Sequence, residues 1–373
     1  MRLFFLLALV MTTLSLSAQT SPEKQIEEIQ ASIAAPIPLP AWLEPKIAAA
    51  AKRINDFKGD DQAVIFPIIS DVHSGGRDTY KHVVYLNHAA ETIPVDFIAD
   101  LGDIGLDTPA TKDAQVARAF AKRHADLHYQ YPGVYLQLVG NHDHNHGVNR
   151  EEMITDAEFA KLFNLPNLER GHKVNFAEDA TYGFYDIATA KLRVFFLNTC
   201  DFDDTPGGGY YTLAPKQLQF LADNLKFTEA GWTAVILTHY CPHVIGAWIG
   251  DNARLKNGEI FFAIAKAFRA NGKGEQDGVA WDFSANQDCR LAGVLTGDSH
   301  FDSQITEDGI NFAITQGYGG VGADSIPEGA HKTFFSPNDN LLVDIVVLKP
   351  QRRLLKLIRM GAGGPVCDRL FAW

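Results

Sequence analysis

From residue 63 onward the chain repeats one rhythm, an apolar run of strand length followed by a polar or small tail. "AVIFPIISD", "VDFIADLGD", "VYLQLVGNHD", "LRVFFLNT", "TAVILTHY" and "LAGVLTGDSH" all follow it. The runs are continuous, which predicts strands covered on both faces. Helical segments lie between several of them, at residues 112–130 and 214–226, and this alternation indicates an α/β architecture. Two stretches read differently. "TYGFYDIATAKLRVFFLN" predicts a hairpin turning near Ala188 to Lys191, and "LLVDIVVLKPQRRLLKLIRM" predicts a second around Lys349 to Arg352.

The first 60 residues lack this rhythm. Residues 1–18 hold one Arg, an apolar run from Leu3 to Met11 and small residues ending near Ala18. That is the pattern of a short signal peptide, and the expectation is export to the periplasm or the cell exterior. Residues 19–60 read as a helical arm: Ile26, Ile29 and Ile33 share one helical face, "APIPLP" interrupts, and an Ala-rich helix follows. Residues 61–373 then form a single domain ending in the second hairpin. No later stretch reaches membrane-spanning length.

Composition narrows the class. With 373 residues and 46% hydrophobic content the chain can bury a large core. A formal charge of −12 argues against binding nucleic-acid polymers, since phosphate neutralisation needs a basic surface. It leaves open a small phosphorylated substrate drawn in by a metal centre. Cys200, Cys241, Cys289 and Cys367 are far apart and form no metal-finger spacing; they are buried thiols or contain one bridge.

The tails of the strands carry the chemistry. "SDVH" supplies Asp71 and His73, "LGD" Asp103, "GNHD" Asn141 and His142, "LTHY" His239, and "GDSH" Asp298 and His300. In open α/β sheets ligands collect beyond the carboxyl ends of strands, so residues far apart in sequence converge there. Asp71 and His73, two apart, fall on one side of an extended segment. Glycines at 102, 140 and 297 precede the ligands and permit tight turns.

In this order, each motif closing an apolar strand, the chain resembles the calcineurin-like metallophosphoesterases over roughly residues 63 to 302. The resemblance implies a two-sheet sandwich flanked by helices, four layers as α/β/β/α. It also implies a two-metal centre that hydrolyses phosphate esters with a hydroxide shared by the ions. Carried over, Asp71, His73 and His300 hold the first metal, Asp103 bridges, and Asn141 and His239 serve the second. The ions are divalent or of mixed valence, from among Mn, Fe and Zn. One position departs from the family, whose last motif reads G-H-x-H where this chain has Gly297, Asp298, Ser299 and His300. Asp298 is either a harder, oxygen-donating ligand favouring Mn²⁺-like ions, or turns away and leaves a weak second site. His142 resembles the family histidine that faces the leaving group or a phosphate oxygen, and Asp143 is expected to hydrogen-bond and orient it.

Other residues have two readings each. Arg77 clamps a phosphate oxygen or makes a surface salt bridge, and His243 reaches substrate or caps the turn at Pro242. His144 and His146 are read first as solvated loop. Asp201, Asp203 and Asp204 read as a turn, with Tyr210 or Tyr211 available to stack on an aromatic leaving group. A competing class is a non-catalytic metal- or ligand-binding protein on the same scaffold with a degraded second site. A single-metal hydrolase of another type is the third reading.

Overall fold

Strands that are apolar on both faces need cover on both, and the chain supplies it in the order helix, sheet, sheet, helix. The computed structural model describes residues 21–34, 36–73, 80–107, 113–145, 150–201, 211–242, 255–317 and 341–373. Residues 1–20, which include the expected signal peptide, and Arg77, His146, Asp203, Asp204, Tyr210 and His243 lie outside them. The strands are β1 (Val64–Ile69), β2 (Phe97–Asp100), β3 (Val134–Gln137), β4 (Val174–Phe176), β5 (Gly183–Ile187), β6 (Leu192–Leu197), β7 (Thr233–Thr238), β8 (Lys273–Gln276), β9 (Val279–Asp282), β10 (Arg290–Thr296), β11 (Ser303–Glu307), β12 (Ile310–Ile314), β13 (Leu342–Lys349), β14 (Leu354–Gly361) and β15 (Arg369–Ala372). The helices are α1 (Pro22–Ala34), α2 (Leu43–Lys58), α3 (Tyr80–Thr92), α4 (Ala114–His128), α5 (Asp156–Phe163), α6 (Pro166–Glu169), α7 (Pro215–Asn224) and α8 (Gly258–Arg269).

One sheet runs β15-β14-β13-β1-β2-β3 and the other β11-β12-β10-β7-β6-β5-β4. β1, β2 and β3 are mutually parallel, as are β6, β7, β10 and β12, and the hairpin strands extend each sheet antiparallel. The parallel centres are fully buried, which explains their continuous apolar sequences. Phe66, Phe97, Leu136, Phe196, Val235 and Leu295 fill the space between the sheets, with the rings of Phe66 and Phe97 stacked at 4.3 Å. Each such side chain contributes about 1.5–3 kcal/mol by leaving water. On the outer face of the first sheet, Ile65, Ile98, Val343 and Ile345 pack on Leu43, Ile47 and Ile54 of α2 and Leu86 of α3. On the outer face of the second, Phe195, Ile236 and Val294 pack on Leu218 of α7 and Ile260, Phe261 and Ile264 of α8. The four layers expected from sequence are borne out.

Both expected hairpins form. Each turns through a short 3₁₀ segment, Ala188–Ala190 and Pro350–Arg352, closed by a left-handed residue, Lys191 (φ 49°) and Arg353 (φ 55°). Within the residues assigned to the arm, α1 packs along α4, and α2 supplies core to the first sheet. All four cysteines are buried free thiols.

Behind the second sheet's strand ends lies a buried ion network. The fully buried Arg359 guanidinium donates to Asp344 at 2.7 Å and to both oxygens of Asp302, at 2.6 and 2.8 Å, and Arg369 also pairs with Asp344. Burial alone raises the Asp344 pKa, but Arg359 and Arg369 outweigh it and hold the carboxyl below its ordinary 3.8. Its stabilising effect is therefore complete above that value and is lost as pH falls through the lower folded-state pKa. Asp344→Asn strands a buried guanidinium charge, and urea unfolding at pH 7 is expected to show a loss of about 3–5 kcal/mol. The gap between variant and wild type should narrow below pH 3.8.

Candidate metal centre

The carboxyl ends of five parallel strands, three from one sheet and two from the other, meet at one edge of the sandwich. β1 leads to Asp71 and His73, β2 to Asp103, β3 to Asn141 and His142, β7 to His239, and β10 to Asp298 and His300. Three sets of donors each have one atom per residue within 4.8 Å of the others: Asp71, His73 and His300; His73, Asp103 and His142; Asp71, Asp103 and His239. Asn141 and Asp298, outside these sets, are brought against His239.

The convergence is not the product of strand alternation. Asp71 and His73 are not extended; both are left-handed, at φ 54° and 41°. Asp103, Asp298 and His300 share that conformation at φ 62°, 62° and 56°. Non-glycine residues there cost of order 1–3 kcal/mol each, and such strain persists only where surrounding contacts enforce it. Here Asp71 N–H donates to Gly102 O at 2.9 Å and His73 N–H to Asp103 O at 3.0 Å, lashing the end of β1 to that of β2. Of the three glycines, Gly102 (φ 105°) makes a true turn. Gly140 and Gly297 are needed for space instead. A Cβ on Gly297 would lie 1.8 Å from Ser70 Oγ and 2.8 Å from Asp71 Oδ2; one on Gly140 would lie 2.2 Å from Asp103 Oδ1.

At one end of the cluster, Nε2 of His73 and Nε2 of His300 are 3.0 Å apart, and His300 Nε2 is 3.3 Å from Asp71 Oδ1. At the other, His239 Nε2 faces Asn141 Oδ1 at 3.0 Å, Asp103 Oδ1 at 3.4 Å and Asp298 Oδ1 at 3.5 Å. Between them stands Asp103, whose second oxygen is 3.6 Å from His73 and 4.0 Å from His142. Nδ1 of His239 donates to Leu101 O at 2.9 Å, which turns its Nε2 toward the cluster. Burial opposes ionisation of Asp103, yet His239, His73 and His142 hold its pKa well below the ordinary carboxylate range. Asp71 Oδ1, Asp298 Oδ2 and His300 Nδ1 are buried with no hydrogen bond. Buried oxygens left bare, a pair of imidazole nitrogens in contact and a carboxylate spanning both ends suit two cations. By this test the residues fit the implied group.

Three expectations change. Asp143 does not orient His142: its carboxylate accepts the backbone N–H groups of Gly140 (2.8 Å), Asp103 (2.9 Å) and Gly105 (3.3 Å). The imidazole donates instead from Nδ1 to Asp107 Oδ1 at 2.6 Å. Burial disfavours the imidazolium, but the Asp107 bond with the Asp103 and Asp107 charges raises the His142 pKa to about 9. Sequence reasoning missed Asp107, whose only trace is an acidic residue four positions past Asp103 in "GDIGLD". His144 is buried rather than solvated, donating to Ile154 O at 2.6 Å beside Phe159. Tyr211 stacks one ring face on Tyr240 at 3.9 Å and donates its hydroxyl to Asp298 Oδ1 at 2.9 Å, a tie to the cluster that the sequence did not suggest. Asp298 itself faces His239 and does not turn away.

The α/β/β/α sandwich, with carboxylates and imidazoles gathered at its parallel strand ends, is a fold found among solved dimetal phosphatases. Among solved structures, the fold matches a dimetal phosphatase from Danio rerio with TM-score 0.51 and 13% identity, over 83% of this chain and 99% of that one. Two further matches are weaker. GAP50, the anchor in the inner membrane complex of Plasmodium, has TM-score 0.45 at 12% identity, covering 83% of this chain and 89% of its own. Phosphopantetheinyl hydrolase from Mycobacterium tuberculosis has TM-score 0.35 at 12% identity, covering 73% and 96%. No family model and no curated protein sequence matches the chain.

Gly297→Ala drives a methyl into Ser70 and Asp71. Metal titration followed by calorimetry is expected to show at least tenfold weaker binding, with far-ultraviolet circular dichroism unchanged.

Proposed function

We propose that the chain is a metal-dependent phosphoesterase acting on small phosphorylated molecules, either monoesters or diesters. The observation that carries this is the meeting of Asp71, His73, Asp103, Asn141, His239, Asp298 and His300 from five strand ends of two sheets. Asp71, His73 and His300 would hold one cation, Asn141, His239 and Asp298 the other, with Asp103 shared. Two cations there would supply Lewis acidity and lower the pKa of a water held between them.

The chain's own residues supply the rest. His142 is the site's most exposed imidazole, its side chain 41% accessible, and is the group best placed to meet a substrate entering from solvent. With Nδ1 committed to Asp107, its Nε2 is left to donate a proton to the leaving oxygen or to a phosphate oxygen. The amides pinned by Asp143 hold the loops of Asp103 and His142 in register. The acidic chain supports a small substrate over a polyanionic polymer. The leader-like residues 1–18 support export. Against the binding-protein reading stands Asp298, whose oxygens face the cluster.

With Mn²⁺ added, p-nitrophenyl phosphate or its bis-ester is expected to turn over, to stop on chelation and to recover on Mn²⁺ return. Two bound ions with neither ester cleaved would favour the binding-protein reading. His142→Ala is expected to cut kcat about 10²–10⁴-fold with both ions retained. Asp298→Ala is expected to lose one ion, and an unchanged count of two would remove Asp298 from the ligand set.

A further inference from the structure

A second group of donors lies on the opposite face of the first sheet. Asp100 ends β2 in register with Gln137 of β3 and, unlike Ala99 and Leu101, faces the helical layer. α4, started by Asp113 accepting the N–H groups of Gln115 and Val116, brings His124 and His128 onto it. Four apart, the two histidines stand on one face of the helix. Nε2 of each is 3.8 Å from Asp100 Oδ2, and all three residues are at most 1% exposed.

This arrangement is in deficit. At 3.8 Å neither imidazole hydrogen-bonds the carboxylate. Asp100 Oδ2 and both nitrogens of both rings are buried with no hydrogen bond, and so are the neighbouring Tyr135 hydroxyl and Gln137 Oε1. Among the described residues the charged contacts of Asp100 are these two histidines, with no Lys or Arg. Leaving a buried polar group unpaired costs about 1–3 kcal/mol, and an uncompensated charge costs more. A water would satisfy some of these atoms but would not neutralise the carboxylate.

We infer that Asp100, His124 and His128 form a buried three-donor site for a divalent cation of the zinc type, distinct from the strand-end centre. Tetrahedral zinc, with bonds of about 2.0–2.2 Å, separates neighbouring ligand atoms by about 3.4 Å. Donors at 3.8 Å reach that arrangement through small rotamer shifts. Two imidazoles and a carboxylate form the borderline donor set zinc takes. Tyr135 and Gln137 line the same pocket. The ion would also brace the catalytic edge: Asp100 Oδ1 accepts Gly102 N–H at 3.0 Å, and Gly102 O accepts Asp71 N–H at 2.9 Å.

The test is metal location, which does not depend on turnover and so stands apart from the phosphoesterase reading. Crystals of the wild-type protein grown with Zn²⁺ are expected to give an anomalous peak at the zinc edge within bonding distance of Asp100 Oδ2 and the two Nε2 atoms. No anomalous signal there, with the strand-end centre loaded, overturns the site. In solution, His124→Gln and His128→Gln are each expected to hold one zinc fewer per chain by mass spectrometry, and an unchanged count overturns it. Should these variants fail to fold, the crystal of the unaltered protein decides.

Discussion

The candidate centre depends on how closely the strand ends of two sheets are drawn together. Apolar packing between sheets fixes their separation but leaves freedom to slide. Two hydrogen bonds and one close approach remove that freedom here. Asp298 N–H donates to Asp71 Oδ2 at 3.0 Å, His239 Nδ1 donates to Leu101 O at 2.9 Å, and Gly297 leaves no side chain to hold Ser70 away. Each joins β7 or β10 to β1 or β2. Donors from separate sheets therefore meet within a few ångströms, as multidentate binding requires.

That closeness has an energetic cost. Five left-handed non-glycine residues and several bare buried oxygens raise the free energy of the protein without ions. The broad apolar core between and outside the sheets offsets it. Cations that bind only the folded state add stability in proportion to the logarithm of their excess over Kd. Metal binding at this centre would therefore be coupled to folding. The ion network of Arg359, Asp344 and Asp302 stiffens it from behind, because Asp302 lies two residues past His300 and is tied to β14.

How much of this was legible follows from the range of each signal. The parallel strands could be read because burial on both faces writes itself locally as continuous apolar sequence. The strand-end donors could be read because few other roles place Asp, Asn and His together after such runs. Both hairpins followed from paired apolar runs around a polar turn. The left-handed backbone of Asp71 and His73 could not be read, since it is imposed by hydrogen bonds to Gly102 and Asp103 from another strand. Tyr211 and Asp107 were opaque for the same reason, their partners lying 87 and 35 residues away. His124 and His128 lie in the segment read as a helix at residues 112–130, and nothing local marks them, since their partner Asp100 comes from β2.

The division of labour between Asp143 and Asp107 shows why adjacency in sequence misleads at such a site. A carboxylate beside a histidine is free to orient it only if its oxygens are uncommitted, and the Asp143 oxygens accept three amide hydrogens. Those bonds tie the Gly140, Asp103 and Gly105 backbone together and cannot be exchanged for an imidazole without freeing the loop. Asp107 is available because the chain leaving Asp103 returns past His142, where Leu106 N–H donates to His142 O at 2.7 Å. The imidazole is therefore oriented by the β2 loop while its backbone belongs to the β3 loop. Any shift between those loops disturbs the Asp103 carboxylate and the His142 ring together, so the geometry that would hold the metals also sets the direction of the His142 imidazole.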